Sequence, residues 1–191
     1  MSDDPHEHLR ADPALAPLVE AHGPVAVEPH EDPFRRLVVS VLRQQVSMDA
    51  AAAIRERLFD AVVVTPAGIR AAEAATMREA GVSAAKAEYL QAIAERWDER
   101  DYDREFFAGM DDEAVRAELT AVRGVGDWTA DVFLMFGLGR EDVFPVGDLG
   151  IRKGMRALFD EEMTRAEMVD RAERWRPYRS YASRYLWRDG D

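Results

Sequence analysis

Apolar residues recur along this chain at intervals of three and four, the spacing that gathers side chains on one face of an α-helix. From Pro33 onward, Phe34, Leu37, Val38, Val41, Leu42 and Gln45 share such a face. Ser47 then sits where an N-cap belongs, ahead of a second helix through Ala50–Ala53, Ile54, Leu58 and Phe59. Val62 to Thr65 has the composition of a short strand, but Thr65-Pro66 as N-cap and first helical residue favours another helix start. Ser83 caps a long helix with Ala87, Leu90, Ile93, Ala94 and Trp97 as its buried stripe. An acidic segment, residues 98–112, leads to a helix over about 113–119. Helical stretches follow at 149–159, 164–175 and 177–188, with Pro177 dividing the last two. Residues 1–32 are rich in proline and acid and read as extended chain with short helical turns. All four histidines (His6, His8, His22, His30) fall there and read as solvated loop residues rather than metal ligands. No strand pairs and no repeats emerge, so the predicted fold class is all-α.

Between two of these helices lies Leu119-Thr-Ala-Val-Arg-Gly-Val-Gly-Asp-Trp-Thr-Ala-Asp131, which reads as helix, tight glycine hairpin, helix. Gly124 and Gly126 supply the freedom that a turn with positive φ requires. The hairpin opens into an apolar helix carrying Trp128, Val132, Phe133, Met135 and Phe136, and the N–H groups at such a start can hold a phosphate. Asp148, in Phe144-Pro-Val-Gly-Asp148-Leu-Gly150, follows Gly126 by 22 residues at another helix start. A phosphate grip followed by a placed carboxylate points to chemistry on a nucleic acid.

Composition narrows the class. The 191 residues form one compact unit or two small lobes, and 47% apolar content is ample for a core. No apolar run approaches the roughly 20 residues of a membrane span, and no signal sequence opens the chain. A cytoplasmic protein without a membrane partner is expected. With no cysteine there is no disulfide, no thiolate zinc site and no iron–sulfur cluster held by cysteine.

The net charge of −12 has the wrong sign for a nucleic-acid binder. Residues 1–150 carry a net of −14 and residues 151–191 a net of +2. Only Lys86 and Lys153 among the 25 cations are lysines, a balance expected of a salt-loving source, in which an acidic surface reflects solvation in brine. Counterion release drives little binding there, so affinity has to come from hydrogen bonds, stacking and wedge contacts.

Gly124-Val-Gly126-Asp-Trp128-Thr-Ala130 with Asp148 resembles the helix–hairpin–helix DNA glycosylase superfamily, and within it the DNA-3-methyladenine glycosylase II family. Three further segments agree: Ser40-Val-Leu-Arg-Gln44-Gln45-Val-Ser47, Gly81-Val-Ser-Ala-Ala-Lys86-Ala-Glu-Tyr-Leu90, and Glu173-Arg-Trp175-Arg-Pro177-Tyr-Arg-Ser-Tyr-Ala182 ending in Leu186-Trp187. Together they cover about residues 33–188.

The resemblance implies a two-lobed fold without the N-terminal β-domain of some relatives. One lobe is residues 33–143, the other residues 1–32 plus 144–191, with the active site in the cleft. It assigns Asp148 as the catalytic carboxylate, and Trp128, Trp187 and Val132 to the base pocket. Val132 stands where some relatives have tyrosine. The hairpin (Arg123, Gly124, Val125, Gly126) and Gln44, Gln45 and Ser47 are implied to contact DNA, with Gln45 as the wedge. Arg123 replaces a usual proline. A structural K+ or Na+ is implied on the backbone carbonyls of Thr120, Val122 and Val125, with no other cofactor. Trp128 stands where bifunctional relatives carry a nucleophilic lysine, so no lyase activity is expected. The expected activity is that of a monomeric, monofunctional glycosylase of base excision repair, removing alkylated purines from duplex DNA. A glycosylase for hypoxanthine, uracil or an oxidised base, and a non-catalytic DNA-binding module, remain the alternatives.

Overall fold

Side-chain caps fix where most of the helices begin. The structure, a computed structural model, describes residues 4–189. Residues up to Pro29 together with those from Gly139 on form one unit, and His30–Leu138 form the other.

In the second of these units α3 (Pro33–Arg43), α4 (Met48–Ala61), α5 (Pro66–Ala71) and α7 (Ala84–Glu99) start at Asp32, Ser47, Thr65 and Ser83. Each of those side chains accepts an N–H from the first turn, as predicted for the last three. Between α5 and α7 lies α6 (Ala74–Glu79). After α7 come α8 (Arg104–Ala108), α9 (Asp112–Thr120) and α10 (Asp127–Phe136). The stripe of α7 is buried throughout, and Trp97 meets Phe34 and Phe133 edge-on at 5.3 and 6.2 Å. The acidic segment is not plain linker: α8 forms in it. A helix of five residues is unstable alone. Its Phe107 is fully buried against Phe133 at 5.5 Å, and such burial contributes about 2–3 kcal/mol.

The other unit holds α1 (Pro5–Arg10), α2 (Ala16–His22), α11 (Leu149–Phe159), α12 (Arg165–Ala172) and α13 (Arg179–Asp189), with a 3-10 turn over Glu173–Trp175. Leu9, Leu15, Ile151, Met155, Trp175, Tyr185 and Leu186 are buried together. The proline-rich start is thus more helical than its composition suggested, because Leu9 and Val19 dock into this core. His6 is no solvated loop residue either. It lies on α1 with Nε2 2.9 Å from the Val25 carbonyl oxygen. α11 and α13 pack closely because Gly154 faces α13: a β-carbon there would lie 2.5 Å from the Leu186 carbonyl oxygen.

The fold is all-α, and no strand occurs among the described residues. Nor, among them, is any helix long and apolar enough to cross a membrane.

Candidate functional site

The hairpin between α9 and α10 turns on Gly124. Its φ is +90°, and a β-carbon there would fall 2.1 Å from Cγ of Tyr89 on α7. Glycine is therefore required twice over, by backbone conformation and by the ring beneath it. Gly126 departs from expectation. Its φ is −102° and a β-carbon would meet nothing within 4 Å, so the fold makes no demand for glycine there. Gly126 is the N-cap of α10 and brings no capping side chain to that helix's first turn. Thr120 ends α9, where carbonyls lack intrahelical partners, and the Val122 carbonyl accepts the Val125 N–H at 3.1 Å.

Gln44 meets this hairpin. Its side-chain nitrogen donates to the Gly124 carbonyl at 3.0 Å and to Oγ1 of Thr129 at 2.9 Å. Both donors of an amide sequence reasoning expected at DNA are thus occupied inside the protein. Lys86, whose sequence position signals no contact of this kind, donates from Nζ to the carbonyls of Leu42 and Gln44 at 2.8 and 2.7 Å. Burial lowers its pKa.

The helical face predicted to reach Gln45 stops short of it. α3 ends at Arg43, and Gln45 sits in a turn at φ +56°. The break comes because the Leu42 and Gln44 carbonyls bond to Lys86. Gln45, Val46 and Ser47 are exposed in this turn, as is Met48 at the start of α4. Arg123 is exposed and paired with Glu88 at 2.8 Å. On α10, Trp128 is half-buried in the first turn and Val132 is buried in the core.

In the other unit Asp148 is the N-cap of α11. Its Oδ1 accepts the Ile151 N–H at 3.1 Å and the Trp187 Nε1–H at 2.8 Å. Two bonds to one oxygen set the plane of the carboxylate. Arg152, one turn on, donates to the carbonyls of Val146 and Gly147 just before it. Further back, Arg179 and Arg176 hold Asp142 at 2.7 and 2.6 Å. Ser180 Oγ donates to the Arg140 carbonyl and accepts the Val143 N–H. The chain leading to Asp148 is thereby fastened to the start of α13 and its carboxylate to the end. The aspartate–tryptophan contact and the serine clamp lie 39 and 37 residues apart in sequence, beyond the reach of any local pattern.

A fixed, partly exposed carboxylate can stabilise developing positive charge and orient water. A hairpin with bare backbone at Gly126 can approach a phosphate.

Residues 38–178 match the family described as HhH-GPD superfamily base excision DNA repair protein. The chain is 28% identical over 186 residues to a putative DNA-3-methyladenine glycosylase of Bacillus subtilis, covering 92% of this chain and 65% of that one. It is 32% identical over 182 residues to DNA-3-methyladenine glycosylase 1 of Schizosaccharomyces pombe, covering 91% and 79%. The solved structure of the Schizosaccharomyces pombe glycosylase in complex with abasic DNA superposes with a TM-score of 0.87 at 31% identity, covering 96% of this chain and 95% of that one. Length is not shared with every relative: the chain spans just under two thirds of the Bacillus protein, and an 80-residue segment of it matches 16% of two Mycobacterium tuberculosis relatives. With the match extending over most of its length, the chain belongs to the HhH-GPD superfamily of base excision DNA repair proteins.

Proposed function

We propose that this protein is a DNA glycosylase that hydrolyses the N-glycosidic bond of alkylated purines in duplex DNA and leaves an abasic site. The observation that carries the reading is Asp148, a carboxylate with one oxygen held by both a helix N-terminus and an indole N–H. Departure of the base leaves positive charge on the sugar. The bonding pair leaves with the base, and Asp148 stabilises the charge left on the sugar, orients the water that attacks the anomeric carbon and takes the proton that water gives up. The names of the Bacillus and Schizosaccharomyces relatives support the substrate class.

Trp128 and Trp187 suit a base of this kind. A purine alkylated at N3 or N7 is cationic in DNA, and an aromatic face attracts a cation by about 0.5–2 kcal/mol. Such a base is already a good leaving group, so little acid catalysis is required. Trp128 carries no amine and forms no Schiff base, so the strand stays intact. The target nucleotide leaves the stack before reaction, and Gln45 fills the gap.

The carbonyls of Thr120, Val122 and Val125 fit a K+ or Na+ ion. All three are neutral oxygens around one turn, and Val122 O keeps a second lone pair beside its bond to Val125. When bound, the ion adds positive charge where a phosphate docks. Neither it nor the protein chain takes an electron in this reaction.

The test is Asp148→Asn, assayed on a methylated duplex at low and at molar salt. Asparagine keeps the cap and accepts from Trp187, so the fold survives. The wild type is expected to release free 3-methyladenine without strand cleavage and without trapping by borohydride. The variant is expected to lose orders of magnitude in release while still binding DNA. Equal release by both proteins overturns the role of Asp148, and strand cleavage by the wild type overturns the argument from Trp128.

A further inference from the structure

Gln44 is the point at which three separated pieces of the chain meet. Its main-chain carbonyl is held by Lys86 from the first turn of α7, and its side chain holds the hairpin at Gly124 and Thr129. The next residue, Gln45, sits at φ +56°, a conformation that costs free energy for any residue with a β-carbon.

Something has to hold it. The Gln44 carbonyl belongs to the peptide that joins Gln44 to Gln45, so the bond from Lys86 fixes the plane from which Gln45 departs. That bond is charge-assisted and stronger than one between neutral groups. Lys86 occupies a position that does not favour a cation. It lies in the first turn of α7, the positive end of the helix dipole, and is half-buried. The compensation is at the C-terminal end of α3, where the Leu42 and Gln44 carbonyls would otherwise lack partners. Beyond this anchored residue the chain is exposed, including two apolar side chains, Val46 at 40% and Met48 at 62%.

We infer that Lys86 and Gln44 are positioning residues that join the Gln45–Ser47 turn to the hairpin, so that the turn and the phosphate-gripping backbone meet the duplex as one rigid element. This rests on the glycosylase reading for its catalytic consequence, though not for the coupling itself. If the turn opens the duplex, loosening it harms reaction at a base that must be unpaired more than at one already unpaired.

Two measurements separate these claims. The first is single-turnover base release by Lys86→Met from a lesion in a full duplex and from the same lesion in an unpaired bubble. The loss of one charge-assisted anchor is expected to slow the duplex reaction by about tenfold or more, with a clearly smaller loss in the bubble. Lys86→Arg, which restores a cationic donor, is expected to recover much of the difference. The second is amide hydrogen exchange of the free protein, which needs no activity. Lys86→Met and Gln44→Met are each expected to speed exchange by about tenfold or more both in residues 44–48 and in residues 122–129, with α5 unchanged. Acceleration in both segments together with equal loss on both substrates overturns the catalytic consequence and leaves the coupling. Acceleration confined to one segment overturns the inference itself. Absence of release by the wild type on either substrate is a failure of the glycosylase reading, and the exchange data still decide the coupling.

Discussion

The indole N–H of Trp187 donates to Oδ1 of Asp148 across 2.8 Å, and Gly150 lies beside both. A β-carbon at residue 150 would come within 2.8 Å of the Trp187 ring and 3.0 Å of the carboxylate oxygen. The orientation of the proposed catalytic group therefore depends on a residue at the far end of the chain.

Trp187→Phe keeps an aromatic face and removes the donor. A hydrogen bond to a charged group is worth about 1.5–3 kcal/mol, so base release is expected to fall roughly 10- to 100-fold. Affinity for duplex DNA should change little. Single-turnover kinetics beside a binding isotherm check this, and a variant with unaltered turnover would show that the bond does not orient the carboxylate.

The two hairpin glycines should respond in opposite ways. Gly124→Ala meets the Tyr89 ring and a φ of +90°, and is expected to destabilise the protein by at least about 1–3 kcal/mol in urea unfolding. Gly126→Ala meets nothing within 4 Å and is expected to cost no more than about 1 kcal/mol, the modest penalty of alanine at an N-cap. Its larger cost should appear in DNA affinity, because the added methyl group occupies the approach to the backbone. Full affinity in a folded Gly126→Ala protein would refute contact at that point.

Arg123 offers a route around the acidic surface. Its partner Glu88 is 54% exposed and the pair is solvated, so it contributes about 0–1 kcal/mol and gives way readily to a phosphate. Glu88→Gln is expected to tighten DNA binding and steepen its salt dependence. An unchanged slope of affinity against salt would place Arg123 outside the interface.

Glu118 contributes to acid stability in the hairpin unit. The Tyr102 hydroxyl, foremost, with Arg96 and Arg100, holds its carboxyl below the usual range. Folding thus favours the ionised form. Its contribution is complete above the unfolded-state pKa, near 4.3, and is lost as pH falls through the lower folded-state value. Glu118→Gln should be less stable than wild type at pH 7, and the gap should close toward pH 3. Parallel stability curves over that interval would contradict the assignment.

Where caps and stripes are local, the fold was legible in the residues. Ser47, Thr65, Ser83 and Asp148 each cap a helix at the position their spacing indicated. The misses have a common cause. α6 and α8 span six and five residues, too few to establish a period, and are held by the full burial of Met77 and Phe107. Gln45 continued a helical spacing in sequence, but a lysine from another helix ends α3 before it. Pairs such as Trp187 with Asp148, or Gln44 with Gly124, join residues 39 and 80 apart, and nothing local in either segment announces the other.

Gly150 and Gly154 stand four apart on α11, one beside the Trp187 ring and the other beneath the Leu186 carbonyl. The separation between a carboxylate and its indole partner is thus metered by two hydrogen atoms, not by a polar residue. One added methyl group on this face would therefore force the indole, the carboxylate or the α13 backbone to give way.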